Sequence, residues 1–140
     1  MSLPAVLLPL FVEVILTFAL LLTLAPLRDK DLKSGIATQD NIALRQPNWS
    51  KRSLQVANAF SNQFELPVLF YVLTILAYVT HHAGVAFVVL AWFFVIFRLT
   101  QAYVHVTSNI VRVRGALYGV GMLALLVNWL IYIVAVLAGT

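Results

Sequence analysis

The chain has 140 residues, of which 62% are hydrophobic and only 10% charged, and its mean hydropathy is +0.96. Soluble domains carry charged residues near a quarter, so this composition excludes an ordinary water-facing fold and points to an integral membrane protein of one domain, residues 1–140. The absence of cysteine excludes disulfides, thiolate metal sites and a protein-borne sulfur nucleophile. The net charge of +4 is read as the mark of a cytoplasmic membrane face rather than of a nucleic-acid partner.

The first predicted span covers residues 3–27, with Glu13 as its single charge. At ~1.5 Å per residue it is roughly 37 Å long, enough for a bilayer core of about 30 Å. It lacks a basic leader and Pro26 follows the one small-residue site, so a cleaved signal peptide is not expected. Glu13 has two readings: it joins a polar centre in the bundle, or it takes a proton and packs neutral. Residues 28–53 carry Arg28, Asp29, Lys30, Asp31, Lys33, Asp40, Arg45, Lys51 and Arg52 and read as a solvated loop, with Trp49 at headgroup level.

The second span is expected over residues 53–80, interrupted at Pro67. Gln55, Asn58, Asn62 and Glu65 are spaced by three, four and three residues, which places them on one helical face. His81, His82 and Gly84 make a turn. With no third ligand nearby, the histidines read as solvated and no metal site is expected. The third span, residues 85–107, carries Arg98, Gln101 and His105, with Asn109 continuing the same face, and Arg112 and Arg114 read as a short basic loop. The fourth span, residues 115–139, is uncharged. In it Asn128 reads as an interhelical hydrogen bond, and Gly115, Gly119 and Gly121 as points of close helix approach.

The fold expected is therefore all-α, an integral membrane four-helix bundle. All nine Lys and Arg lie in loops one and three or in the adjoining end of the third span. This puts loops one and three in the cytoplasm and both termini outside, and the location expected is a bacterial inner membrane. The second span leaves the charged side and the third returns to it, so the polar stripes meet at equal depth and Glu65 is expected to pair with Arg98. An unpaired charge there costs roughly 2.5–3.5 kcal/mol. The stripes either bind the bundle together or line a pocket. They offer more polar groups than one pair needs and open toward a basic rim, which suits a small anion.

Asn62-Gln-Phe-Glu65-Leu-Pro-Val-Leu-Phe-Tyr71 resembles the N-x-x-E segment of the membrane-associated proteins in eicosanoid and glutathione metabolism, the MAPEG superfamily. Arg98-x-x-Gln101-x-x-x-His105 is similar to the family's third-helix motif, R-x-x-H-x-x-x-Y. Length and four-span layout extend the likeness over essentially the whole chain. The resemblance implies a homotrimer with glutathione bound between subunits. Asn62, Glu65 and Arg98 carry over as glutathione contacts, and Gln101 and Asn58 stand beside them as candidates. A family arginine used in thiol chemistry near the start of the fourth helix falls on Arg114. One at the end of the first helix, used to stabilise thiolate, is matched by Arg28. The chain departs from the pattern at Asn58, where the family has an arginine, at Gln101 and His105, where it has His and Tyr, and at Gly115, where some members have serine.

The activity this implies is a glutathione transferase or peroxidase. Arg114 or Arg28, with His105 as a weaker candidate, would stabilise the thiolate, which would attack a lipophilic small molecule reaching the site from the lipid bilayer. The alternative is a non-enzymatic protein of the same fold that binds a lipid or small anion. A transporter or channel has the least support, because the charged stripes stop at mid-depth.

Overall fold

A computed structural model describes residues 1–140 as helices and turns only. The elements are α1 (Leu3–Ser34), α2 (Gln39–Ile42), α3 (Lys51–Asn62), α4 (Leu66–Val79), α5 (Val85–Val106) and α6 (Val111–Leu137). Four helical stretches are long and apolar enough to cross a membrane: α1, α3 with α4, α5, and α6. The protein is a multi-pass membrane protein. Exposed Ile15, Leu22, Val79 and Val85 are stable on its surface because lipid tails, not water, surround them.

The first span is longer than its apolar run. α1 starts at an N-cap, Ser2, with Pro4 in the first turn, and continues seven residues past Leu27 to Gly35, which ends it at φ 83°. That left-handed position suits glycine. The expected solvated loop 28–53 is thus helical at its beginning, and Thr38 and Asn41 cap the short α2 reciprocally. The buried stripe of α1 is Val6, Pro9, Glu13, Leu20, Leu24 and Asp31, a heptad-like series with an acid at two of its positions.

The second span is two helices rather than one. α3 ends at Asn62 and α4 starts at Leu66, with Gln63, Phe64 and Glu65 between. Pro67 has no N–H to donate, a loss without consequence in the first turn of a helix but costly inside one. The chain therefore breaks before the proline. The break also changes the faces. The buried face of α3 is Ser53, Val56 and Ala59, with Gln63 beyond it, so the stripe Gln55–Asn58–Asn62–Glu65 lies beside the core rather than in it.

α5 packs most extensively against α6, its antiparallel neighbour. Its buried face runs Phe87, Val88, Ala91, Phe94, Val95, Arg98, Gln101, Ala102 and His105. With Val6, Phe70, Leu73, Ala77 and Leu125 the apolar part of this face forms the core. Asn128 Nδ2 donates to the Phe87 carbonyl at 3.3 Å, the interhelical bond expected. Gly121 alone of the three α6 glycines meets a neighbour, Phe97 Cβ, at 3.6 Å from where its own Cβ would lie; Gly115 and Gly119 face open space. α6 begins at Val111, so Arg112 and Arg114 belong to its first turn and not to a loop, and Asn109 leaves the α5 face for a turn at φ 52°.

Candidate functional site

α3, α5 and α6 converge at the charged end of the bundle around a pocket of about 220 Å³. It is lined by Asn62, Gln101, Val111, Arg114, Gly115 and Tyr118. Asn62 reaches it because α3 stops there and exposes its last turn. Gln101 reaches it from the end of α5, and Arg114 and Tyr118 from the first turns of α6, with His105 in contact with Arg114. Arg114, Tyr118, Gly121, Leu125 and Asn128 follow one another by four, three, four and three residues. The same helical face that packs α6 on the core thus carries its two polar pocket residues.

Two arginines define the chemistry. Arg114 Nη1 donates to His105 Nε2 at 2.6 Å. Arginine only donates, so Nε2 accepts and the ring proton resides on Nδ1. That nitrogen faces the Asn62 amide at 3.5 Å, a bond that closes when the amide presents its oxygen. His105 thereby orients Arg114, whose Nε is buried without a partner. Deeper in, Arg98 Nη1 donates to Gln101 Oε1 at 2.7 Å and Nη2 donates to the Asn62 carbonyl at 3.1 Å. Arg98 is 2% exposed, and its guanidinium lies 5.7 Å from the centre of the Tyr118 ring.

The expected Glu65–Arg98 ion pair is absent, and the one close ion pair is Lys33–Asp29 at 2.9 Å. The break before α4 turns Glu65 outward, where it is exposed beside Tyr118. Arg98 satisfies a helix-end carbonyl instead, which is favourable because the C-terminal end of α3 carries a partial negative charge. Asn58 is exposed and outside the pocket. Arg28 is also elsewhere: it stacks 4.9 Å above the Trp49 ring. Of the expected residues, the structure brings together Asn62, Arg98, Gln101, His105 and Arg114, with Glu65 at the edge.

Sequence reasoning did not single out Tyr118 or Gln63. Tyr118 was legible as the residue one turn after Arg114. Gln63 was not, because its burial depends on where α3 ends. Also unforeseen is a clip at the charged end. Asp31 Oδ2 accepts from the Ser50 backbone N–H at 3.0 Å and from the Ser53 hydroxyl at 2.6 Å. Arg52 adds a bond to the Val106 carbonyl, tying α3 to α5. A second, wholly apolar groove of about 380 Å³ runs between α4 and α6, lined by Leu66, Leu69, Met122, Leu125, Leu126 and Trp129.

Residues 6–134 match the sequence profile of the MAPEG family. The chain belongs to the MAPEG family. No curated protein and no solved structure matches it. Membership makes this MAPEG protein broadly one of glutathione-related or eicosanoid metabolism.

Proposed function

We propose that this MAPEG protein is a membrane glutathione transferase or peroxidase whose thiol site is the Asn62–Gln101–Arg114–Tyr118 pocket. The carrying observation is the oriented cation: Arg114 lines the pocket and is held by His105 at 2.6 Å. A free thiol ionises near pH 8.5, and an adjacent cation stabilises the thiolate. Asn62, Gln101 and Tyr118 offer hydrogen bonds to the peptide part of glutathione, and Arg98 holds the wall that presents Asn62. The apolar groove between α4 and α6 touches the same region through Leu66, next to Glu65, and Met122, one turn beyond Tyr118. It suits a lipophilic electrophile or hydroperoxide arriving from the bilayer. The protein supplies position and charge rather than a covalent nucleophile.

Assembly as a homotrimer, with glutathione between subunits, is part of this proposal. So are a bacterial inner-membrane location and loops one and three in the cytoplasm. A shared site would let a neighbouring subunit close the open side of the pocket. The test is glutathione titration of purified protein, read by thiolate absorbance, for wild type and Arg114→Ala side by side. Wild type gives a thiolate signal, and Arg114→Ala raises the pH at which bound glutathione ionises by about 1–3 pH units. Wild type that neither binds glutathione nor gives the signal refutes the proposal.

The second reading, a non-enzymatic protein of this fold binding a lipid or small anion, draws on Asn58. It is exposed and uncharged where the family resemblance calls for a cation, and Arg28 is engaged with Trp49. A co-purified ligand other than glutathione, identified by native mass spectrometry without turnover, is the result that favours it.

A further inference from the structure

Glu13 is the one acid in the apolar body of α1, and it is fully buried. Neither of its carboxyl oxygens has a hydrogen-bond partner. It stands on the same stripe as Val6, Pro9, Leu20 and Leu24, where packing alone would ask for a hydrophobic residue. Arg98, on the facing helix α5, is equally buried, and its Nε also has no partner. No direct ion pair joins the two side chains, but α1 packs against α5, and Glu13 is the one acid buried within the apolar body of the bundle, whereas Glu65 is exposed. The Arg98 guanidinium is in contact with Gln101, the Asn62 carbonyl and the ring of Tyr118, none of which brings a formal charge. A buried cation with no buried anion would be the costliest arrangement in a membrane.

We propose that Glu13 is the counter-charge of Arg98 and, through it, a positioning residue for the pocket. The carboxylate on α1 and the guanidinium on α5 form one neutral unit at the depth of the α3–α4 break. This frees the outward Glu65 from that duty. Held from behind by Glu13, Arg98 keeps Nη2 on the Asn62 carbonyl and Nη1 on Gln101, so two pocket walls depend on a residue that does not line the pocket. The positioning role rests on the glutathione reading; the ion pair does not.

The test is a double-variant cycle in lipid nanodiscs: Glu13→Gln, Arg98→Gln and both together, with Glu13→Asp as the charge-preserving control. Each neutralising single variant loses thermal stability because it strands one buried charge, and the double variant recovers at least half of the larger loss. Glu13→Asp stays closer to wild type than Glu13→Gln. Additive losses, or a double variant no more stable than the worse single, overturn the ion pair. Failure of one single variant to fold while the double variant folds supports it, and failure of the double variant overturns it.

The positioning role has its own readout. The chain lacks cysteine, so Phe64→Cys places a single reporter in the break. Its labelling by a polar maleimide speeds up about tenfold in the Glu13→Gln background, and glutathione affinity falls about tenfold. Unchanged labelling overturns positioning even where the stability cycle supports the pair. Wild type that does not bind glutathione refutes the proposed function and with it the positioning role, but leaves the stability cycle to decide the pair.

Discussion

At the scale of the residue, the decisive contacts are polar groups that only one or two partners can satisfy. Asp31 is held below its ordinary carboxylate value of 3.8, first by the Ser53 hydroxyl and then by the Ser50 backbone N–H. A depressed folded-state value stabilises the fold above the unfolded value and loses that contribution as pH falls through the folded one. Ser53→Ala is therefore expected to lower the melting temperature at pH 7, with the gap to wild type shrinking below about pH 4. Calorimetry from pH 3 to 7 checks this, and a gap that widens in acid refutes it. His105 offers a second case. His105→Gln keeps an acceptor for Arg114 whereas His105→Leu does not. Under the glutathione reading, the leucine variant binds glutathione about tenfold more weakly than the glutamine variant, a difference of about 1.4 kcal/mol. Equal affinities in a titration would mean that His105 does not orient Arg114.

At the scale of the element, the helices read well from sequence wherever an apolar period was unbroken. α5 lies close to its expected bounds, and α4 and α6 end close to the expected ends of the second and fourth spans, because hydrophobic spacing and terminal turn residues agree there. The errors sit where tertiary contacts decide. The overhang of α1 past Leu27 is held by Asp31 on Ser50 and Ser53, and the break at residues 63–65, begun locally by Pro67, is completed by Arg98 on the Asn62 carbonyl. The Glu65–Arg98 pairing failed for the same reason: it assumed a continuous helix. Gln101 and His105 were legible because they share one face of the third span near the charged end, Asn62 because it belongs to the polar stripe and the family motif, and Arg114 through the family resemblance alone, since the sequence placed it in a loop. Glycines on α6 provide a test of packing at this scale. Gly119 faces open space and Gly121 faces Phe97 and Phe94. Gly119→Ala is expected to stabilise by up to about 1 kcal/mol. Gly121→Leu is expected to destabilise by about 1–3 kcal/mol through overpacking. Denaturant titration in micelles measures both, and a reversal of the order would place the α5–α6 contact elsewhere.

At the scale of the molecule, charge asymmetry and helix count agree on an orientation. Loop one, the end of α5 and the start of α6 carry every Lys and Arg, while the turn at His81–Gly84 carries none. Single cysteines at Ile36 and Val85, both exposed, report the two sides of the membrane. A membrane-impermeant maleimide is expected to label Val85→Cys in intact cells and Ile36→Cys only after the membrane is opened. The opposite pattern inverts the orientation and places the pocket mouth outside.

The overhang of α1 has a mechanical consequence. A helix of 32 residues is about 48 Å long, well beyond a hydrocarbon core of about 30 Å. Asp31 fastens its projecting end to the start of α3. The two helices therefore cannot slide past one another when bilayer thickness changes. Hydrophobic mismatch must be taken up as tilt of the linked pair. The distance from the clip to the Asn62–His105 contact is then set by the protein rather than by the lipid, like a mark on a ruler.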